Sequence, residues 1–352
     1  MNSQLKLPIF DGHNDRLLNQ CLPEKTTRLF FKKGDCGHID IPRASEGGLV
    51  GGLFAVFVPP EGETGDFSTH FSGELLKRMM KPVSLDHAKK FADLGIDALK
   101  QWETESRGRF KIVTSVPEIK HAIEHDQMAS VIHFEGAEPI ARDLSNLPGF
   151  YAKGLRSMGL VWSRKNNFGT GVTFAFPGSP DDGPGLTNAG IELVQACNRM
   201  GIMIDVSHLN EKGFWDVERL SMAPIVATHS CVHAICPIPR NLTDYQLDAI
   251  KNSHGLVGIN FAVEFIRTDG RRNPDTPLEK MVDHIRYIAD RIGVDHVALG
   301  SDFDGALISN EIKDAAGLPR LIEALKKSGF DDDDLKKIAY ENWFRVLEDT
   351  WS

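Results

Sequence analysis

The chain has 352 residues, enough for one large domain or two of ordinary size, and its 41% hydrophobic and 25% charged residues are typical of a globular protein. The net charge of -9, without a dense stripe of lysine and arginine between aromatic residues, argues against nucleic acid as a partner. The first residues lack the apolar core of a signal peptide, and no segment reaches the roughly 20 apolar residues that a transmembrane helix needs. We therefore expect a cytoplasmic protein that does not enter a membrane.

Short apolar segments alternate along the chain with amphipathic segments of helical periodicity. Most of the apolar segments are continuous, which is typical of parallel strands covered by helices. Strands are predicted over residues 8–15, 49–58, 128–135, 154–162, 201–208, 224–229, 255–261 and 296–302. Helices are predicted over residues 85–104, 188–199, 210–220, 242–250, 277–291, 319–327 and 331–348.

Eight strands with intervening helices predict an α/β fold of the (β/α)8 or TIM-barrel type, with residues 1–352 as a single domain. A doubly wound parallel sheet is the structural alternative. Two long polar stretches, near residues 61–84 and 163–186, are predicted to be loop insertions. The second is rich in Gly, Pro and Asn, and we expect it to hang over the functional site as a lid.

Side chains that can bind a metal ion stand at the ends of five predicted strands. The first strand ends in His13 and Asp15, whose side chains point to the same face because they are two residues apart. The others are Glu135, His208, His229 and Asp302. In a barrel the C-terminal strand ends meet at one mouth, so we expect these side chains to converge. Imidazole and carboxylate together suit zinc or a similar divalent ion, and a carboxylate can bridge two ions.

Two alternatives for the ligands stay open at this point. His133, two residues before Glu135, could bind the metal in its place or together with it. Cys231 and Cys236 lie close to His229 and would make a softer site, although their spacing fits no zinc-ribbon pattern. We expect the five scattered cysteines of the chain to be free thiols.

The candidate residues lie within motifs that resemble those of the renal, or membrane, dipeptidase family and its bacterial relatives. The motifs are Phe10-Asp11-Gly12-His13-Asn14-Asp15, Gly51-Gly52-Leu53-Phe54-Ala55-Val56-Phe57, Phe134-Glu135-Gly136, Asp205-Val206-Ser207-His208, Thr228-His229-Ser230, Arg240-Asn241, Gly300-Ser301-Asp302-Phe303-Asp304-Gly305 and Glu341-Asn342-Trp343-Phe344-Arg345-Val346. The resemblance implies a (β/α)8 barrel that holds two zinc ions per chain. By this resemblance, one ion is bound by His13 and Asp15 and the other by His208 and His229, with Glu135 bridging them.

The resemblance also implies roles outside the metal-binding set. Arg240 matches the residue that binds the free carboxylate of a dipeptide, a bidentate task suited to guanidinium. Asp302 matches the catalytic acid, which takes a proton from the attacking hydroxide between the ions and gives it to the leaving amine. Asp304, one strand period away, is a rival for that role. Trp162 stands where mammalian members have a histidine of the substrate pocket, so the substrate range is left open.

The implied function is zinc-dependent hydrolysis of small dipeptides with a free C-terminal carboxylate, with L,D-dipeptides as plausible substrates and a homodimer as a family-level expectation. The alternative is a related barrel amidohydrolase that acts on another amide or a cyclic amide. Such enzymes usually carry His-x-His on the first strand, whereas this chain has His13 and Asp15, which favours the dipeptidase. A binding protein on an inactive scaffold is a third hypothesis, and the complete set of ligands argues against it.

Overall fold

The computed structural model describes residues 6–21, 30–62 and 73–351, and a parallel β-sheet forms its centre. The strands of this sheet are β1 (Ile9–Asn14), β2 (Leu49–Phe57), β3 (Phe110–Ile112), β4 (Met128–Glu135), β5 (Leu155–Gly159), β6 (Met203–Asp205), β7 (Val226–Ser230), β8 (Leu256–Ile259) and β9 (Val297–Leu299). Hydrogen bonds join them in the order β1-β2-β4-β5-β6-β7-β8-β9, while β3 pairs with β4 outside this path. The order follows the chain, as it does when each strand is succeeded by a helix and a parallel neighbour.

Hydrogen bonds between the first strand and the segment after the last strand bring the sheet to a nearly closed barrel. Asp302 donates its backbone N–H to the carbonyl oxygen of His13 at 3.0 Å. The buried carboxylate of Asp11 accepts hydrogen bonds from the backbone N–H and from the hydroxyl of Ser301, each at 2.7 Å. The predicted barrel of eight parallel strands is therefore confirmed, and the doubly wound alternative is wrong. The short strand β3 was not predicted.

Helices fill most of the connections between the strands. They are α1 (Arg16–Cys21), α2 (Ile41–Gly47), α3 (Gly73–Met79), α4 (Leu85–Glu105), α5 (Val116–Glu124), α6 (Leu147–Ala152), α7 (Asn188–Met200), α8 (Glu211–Leu220), α9 (Asp244–Asn252), α10 (Val263–Ile266), α11 (Glu279–Ile292), α12 (Leu318–Lys327), α13 (Asp332–Lys336) and α14 (Asn342–Trp351). The helix predicted over 331–348 is interrupted, because a π-helical turn over Lys337–Glu341 joins α13 to α14.

Side-chain caps set the beginnings of several helices. Ser84 and Thr187, just before α4 and α7, each accept a hydrogen bond from a backbone N–H of the first turn. Thr243 forms a capping box with Gln246, in which each side chain accepts from the other's backbone N–H. This box explains why α9 begins two residues after the predicted start at 242.

Close packing fixes the end of β1 that leads into the candidate site. Trp343 is fully buried and donates its indole N–H to the carbonyl oxygen of Leu299 at 3.0 Å. Its ring lies so close to β1 that a Cβ atom at Gly12 would be 2.2 Å from it. Glycine is therefore required next to His13, and the contact holds this part of the strand in position.

The two predicted insertions differ in structure. Residues 163–186 contain neither helix nor strand apart from a bridge between Gly171 and Leu209, and Phe174 and Phe176 line the cavity beside the site. In the stretch near 61–84, residues 63–72 lie outside the described residues, and α3 is a helix where a loop was expected. Within the described ranges, no helix combines the length and apolar character needed to cross a bilayer.

Candidate active site

The five predicted metal ligands come together at the C-terminal mouth of the barrel, and all five side chains are buried. Nε2 of His13 lies 3.4 Å from Oδ2 of Asp15 and 3.8 Å from Oε2 of Glu135. Oε1 of Glu135 lies 2.9 Å from Nε2 of His208 and 3.7 Å from Nε2 of His229. One oxygen of Glu135 thus faces His13 on β1, and the other faces the two later histidines.

The backbone beyond two strands turns sharply to aim two of the predicted side chains. β6 ends at Asp205 and β9 at Leu299, so His208 and Asp302 lie three residues beyond the strands that were expected to contain them. Their φ angles are 66° and 57°, in the left-handed region that disfavours residues with a side chain. Such conformations cluster at functional sites, where the surrounding structure holds them in place.

Several buried polar atoms of this cluster have no hydrogen-bond partner in the described part of the chain. They are Nδ1 and Nε2 of His13 and Oδ1 of Asp15. The Nε2 atoms of His208 and His229 face each other at 3.1 Å, where two imidazoles can share only one proton. Buried polar atoms are nearly always satisfied in native proteins, so this donor set of imidazoles and carboxylates fits divalent cations.

Burial and neighbouring charges shift the pKa values of the cluster in opposite directions. Burial, and then the Arg240 charge, hold the pKa of His208 well below its ordinary value. Burial, and then the charge of His13, do the same to the pKa of His229. Burial is also the main cause that raises the pKa of Glu135 well above its usual range. At His13 burial lowers the pKa, but Glu135 and the other nearby carboxylates outweigh it and raise the pKa to about 10.

Asp302 lies at the edge of the cluster and is only partly buried. One of its carboxylate oxygens is within 4.8 Å of ligand atoms of His13 and Asp15, and Oδ2 accepts a hydrogen bond from Asn260 at 2.8 Å. The rival Asp304 has different contacts, because its carboxylate accepts from the backbone N–H groups of residues 38–39 at 2.8 and 3.4 Å. Of the two aspartates, Asp302 lines the cavity beside the cluster.

Arg240 is buried beside the cluster but does not belong to the cavity wall. It donates from Nη2 to the carbonyl oxygen of His229 at 3.0 Å and from Nη1 to the hydroxyl of Ser230 at 3.5 Å. Its Nε has no partner among the described residues, and its Cζ lies 5.4 Å from the ring centre of Phe265, which does line the cavity. Burial lowers the pKa of Arg240, yet a guanidinium stays charged in proteins.

A cavity lies beside the cluster and is lined by both polar and aromatic side chains. Its polar lining includes four residues of the cluster and its edge, Asp15, Glu135, His208 and Asp302. The aromatic lining consists of Phe57, Trp162, Phe174, Phe176 and Phe265. A cavity of this kind, largely apolar with a few convergent polar groups, is typical of small-molecule sites.

Three polar residues around this cavity were not predicted from the sequence. Glu264 and Arg272 line it as an ion pair, and Oε2 of Glu264 is buried without a hydrogen-bond partner in the described ranges. Asn260, which orients Asp302, is the first residue after β8. Asn260 also stands at the end of a strand, as the candidate metal ligands do. It was not predicted because only imidazole and carboxylate side chains were considered as ligands.

The alternative ligands make other contacts. Nδ1 of His133 lies 2.8 Å from the hydroxyl of Ser157 and Nε2 lies 3.6 Å from Asp205, and burial lowers the pKa of His133 to about 3. None of the five cysteines forms a disulfide among the described residues, as expected. Cys231 and Cys236 donate from Sγ to backbone carbonyl oxygens at 3.3 and 3.4 Å, and burial raises the pKa values of both thiols.

Comparisons with known proteins give one family. A model of the membrane dipeptidase family, peptidase family M19, matches residues 3–351. The crystal structure of the dipeptidase AC, a metallopeptidase of family M19, superposes with a TM-score of 0.91 at 45% identity, over 98% of this chain and 99% of the other. A Rhodobacter sphaeroides metallopeptidase, solved with a phosphinate mimic of the dipeptide L-Ala-D-Ala, has a TM-score of 0.91 at 44% identity, over 98% and 100% of the two chains.

An uncharacterised Klebsiella pneumoniae protein, encoded in the pqqA 5′ region, is 51% identical over 253 residues, which are 72% of this chain and 93% of its own.

The barrel of this chain and the buried donor cluster at the barrel mouth define a metal-dependent hydrolase. The chain belongs to the membrane dipeptidase family, peptidase family M19. It is accordingly a metallodipeptidase.

Proposed function

We propose that this metallodipeptidase binds two zinc ions per chain and hydrolyses dipeptides that carry a free C-terminal carboxylate. The observation that carries the proposal is the convergence of three histidines and two carboxylates beside one aromatic cavity. His13 and Asp15 would hold one ion, His208 and His229 the other, and Glu135 would give one oxygen to each. Zinc is favoured over calcium or magnesium because three of the five ligand residues are histidines, whereas those two ions prefer oxygen ligands.

Such ions, when bound, polarise a carbonyl oxygen and lower the pKa of water, which is the chemistry that hydrolysis of an amide needs. In this proposal Asp302 accepts the proton of the attacking water and passes it to the leaving amine. Its carboxylate is the partly exposed one of the cluster, and the hydrogen bond from Asn260 to Oδ2 leaves the other oxygen for proton transfer. General acid–base catalysis of this type contributes about 10²- to 10⁴-fold.

Arg240 recognises the C-terminal carboxylate of the substrate in this proposal. Two features support the role: its positive charge is buried next to the cluster, and its Nε has no acceptor among the described residues. A substrate carboxylate that reaches past the cavity wall, beside Phe265, would satisfy this donor and gain a charge-assisted hydrogen bond. Substrates would then need a free C-terminal end close to the scissile bond, which restricts them to dipeptides.

The proposed L,D stereochemistry of the substrate is supported by a relative. The Rhodobacter sphaeroides relative was solved with a mimic of L-Ala-D-Ala, and it shares 44% of its residues with this chain over almost the whole length. This likeness supports L,D-dipeptides as substrates here. The aromatic lining of the cavity suits an apolar side chain on the substrate.

The test is a substrate panel on the purified full chain, after chelation and after zinc is restored. The panel contains L,L- and L,D-dipeptides, their C-terminal amides and cyclic amides, and bound zinc is counted by mass spectrometry. We expect dipeptide turnover that disappears with the metal and returns at two zinc ions per chain. Turnover of cyclic amides instead of dipeptides would exclude the proposed substrate, and full dipeptide turnover by metal-free protein would exclude the metal centre.

A second group of ligand-type side chains provides a matched control. His121, Glu124 and His125 also have ligand atoms within 4.8 Å of one another, but they are exposed at the C-terminal end of α5. We expect His125→Ala to leave zinc-dependent turnover unchanged and His208→Ala to abolish it. Equal losses in the two variants would mean that activity does not depend on the buried cluster.

A further inference from the structure

A chain of hydrogen bonds lies behind one of the clustered histidines. The hydroxyl of Thr228 is 2.7 Å from Oδ2 of Asp205 and 2.7 Å from Nδ1 of His229. All three residues are buried, with exposed fractions of 0% for Thr228 and 1% for each of the others. The chain therefore runs from a buried carboxylate through one hydroxyl to the ring nitrogen that points away from the cluster.

The donor and the acceptor of each hydrogen bond in this chain follow from the number of available protons. Asp205 accepts from the backbone N–H groups of Ser207 and Thr228 with Oδ1, both at 2.9 Å, and from the Thr228 hydroxyl with Oδ2. These three donors already point at the two oxygens of Asp205, so the carboxyl group acts as the acceptor in this chain. The single hydroxyl proton of Thr228 therefore goes to Asp205, and its oxygen accepts from His229. The imidazole must then carry its proton on Nδ1, which leaves the lone pair of Nε2 facing Glu135 and His208.

The other imidazoles of the cluster are not fixed in this way. Nδ1 of His208 lies 2.7 Å from the hydroxyl of Ser163, which can donate or accept in this contact. Nδ1 of His13 has no hydrogen-bond partner in the described part of the chain. Among the three, only His229 has its proton position determined by a carboxylate through an intervening hydroxyl.

We propose that Thr228 and Asp205 are positioning residues that hold His229 in its Nδ1–H form and so set the affinity of one of the two cation sites. The inference rests on the proposed metal centre and adds to it two residues that do not themselves bind the ion. Hydrogen-bond partners of metal-binding histidines fix the tautomer and the ring orientation, and their loss typically costs about 10- to 100-fold in metal affinity.

Two substitutions at Thr228 separate the hydroxyl from the packing. Thr228→Val keeps the branched shape but removes the acceptor of the Nδ1 proton, whereas Thr228→Ser keeps the hydroxyl. We expect Thr228→Val to release one of its two zinc ions at a chelator concentration about 10- to 100-fold lower than the wild type requires. Thr228→Ser should hold both ions as the wild type does.

Asp205→Asn reverses the direction of the chain. The amide oxygen must remain at the Oδ1 position to accept the two backbone N–H groups, so the amide nitrogen takes the Oδ2 position and donates to Thr228. The hydroxyl proton of Thr228 then turns to Nδ1 of His229 and forces the proton of the imidazole onto Nε2, where it blocks the metal. A carboxylate-to-amide change behind a catalytic histidine acts through the same wrong tautomer elsewhere. We expect Asp205→Asn to weaken the same ion at least as much as Thr228→Val.

The experiment measures zinc content against graded chelator for the wild type and the three variants, with circular dichroism to confirm folding. Nitrogen-15 NMR of the metal-free proteins reports the tautomer, and we expect Nδ1–H for His229 in the wild type and Nε2–H in Asp205→Asn. Wild-type zinc retention in Thr228→Val, or equal losses in Thr228→Ser and Thr228→Val, would overturn the inference. A wild type that never holds two ions would instead contradict the proposed metal centre. If Asp205→Asn does not fold, the pair at Thr228 decides alone.

Discussion

The indole of Trp162 packs against the imidazole of His208, with ring centres 5.7 Å apart and planes inclined by 37°. Trp162 also contacts Phe174 and Phe57, whose ring centres lie 5.7 and 5.2 Å away. Trp162 also lines the cavity, so an indole forms its wall next to the cluster.

We expect Trp162→Ala to reduce the preference for large apolar side chains. Removal of the indole opens the cavity next to His208, so a large side chain loses contact area that a small one never had. Relative to L-Ala-D-Ala, kcat/KM for an L-Phe-containing dipeptide should fall by about 10-fold, which is typical for lost apolar contact in a pocket. Trp162→Phe, which keeps a ring in the wall, is the control. An unchanged ratio of the two substrates in Trp162→Ala would show that this wall does not contact the side chain.

Asp302 and Asp304 provide a matched pair for the proton-transfer role. Asp302→Asn should lower kcat by about 10²- to 10⁴-fold with little change in KM, because an amide cannot take up the proton. Asp304→Asn should leave kcat near the wild-type value. It should lower the free energy of unfolding by about 1–3 kcal/mol, because an amide can accept from only one of the two N–H groups of residues 38–39. A larger loss of kcat in Asp304→Asn than in Asp302→Asn would exchange the two roles.

The barrel could be predicted from the sequence because its strands are buried on both faces and appear as continuous apolar runs. The short strand β3 gives no such signal, since it has three residues and Lys111 in its centre is exposed. The π-helical turn over Lys337–Glu341 was also missed, because the apolar periodicity of the terminal helix continues through it. Capping interactions, such as that of Thr243, set where a helix begins. The sequence alone does not show which candidate cap forms its hydrogen bond.

The candidate ligands could be predicted because each lies at or shortly beyond the C-terminal end of a strand, and these ends meet in a barrel. The chain of hydrogen bonds behind His229 could not be predicted, although Asp205 and Thr228 lie in the same sequence motifs as His208 and His229. Their contact depends on the register in which β6 pairs with β7, with Asp205 opposite Val226. The ion pair of Glu264 with Arg272 likewise depends on how the segment after α10 folds back to the cavity.

Arg240→Ala should raise KM for dipeptides by about 10- to 100-fold while kcat changes little, because a hydrogen bond to a charged group contributes about 1.5–3 kcal/mol. The decisive measurement compares each dipeptide with its C-terminal amide. The wild type should strongly prefer the free carboxylate, and Arg240→Ala should lose that preference. Arg240→Lys should be intermediate, since it keeps the charge but not the planar fork. An equal rise in KM for acid and amide would mean that Arg240 only holds the backbone of His229.

Arg272 is the natural comparison, because it lines the cavity and Arg240 does not. Its partner Glu264 is buried, so Arg272→Ala would leave a carboxylate without its cation. We expect Arg272→Ala to keep the discrimination between acid and amide. If the preference disappears in Arg272→Ala and survives in Arg240→Ala, carboxylate recognition belongs to Arg272.

His284 should make the stability of the barrel depend on pH. It is fully buried, accepts from the backbone N–H of Val232 at 3.0 Å with Nδ1, and its Nε2 lies 3.2 Å from the carbonyl oxygen of Ile266. Both contacts are satisfied by the neutral ring, and burial lowers the pKa of His284 from 6.5 to about 4. Between these two values the unfolded chain binds the proton and the folded chain does not, so stability is complete above pH 6.5 and falls as the pH decreases towards 4.

The loss attributable to His284 should reach about 2 kcal/mol at pH 5, at roughly 1.4 kcal/mol per pH unit. Urea unfolding of the wild type and His284→Gln at pH 7 and pH 5 measures it, because contributions from all other groups cancel in the difference between the two proteins. We expect His284→Gln to be the less stable protein at pH 7, since it disturbs two buried hydrogen bonds, and the gap to narrow by about 2 kcal/mol at pH 5. A gap that stays constant over this range would show that His284 is protonated equally in the folded and unfolded chains.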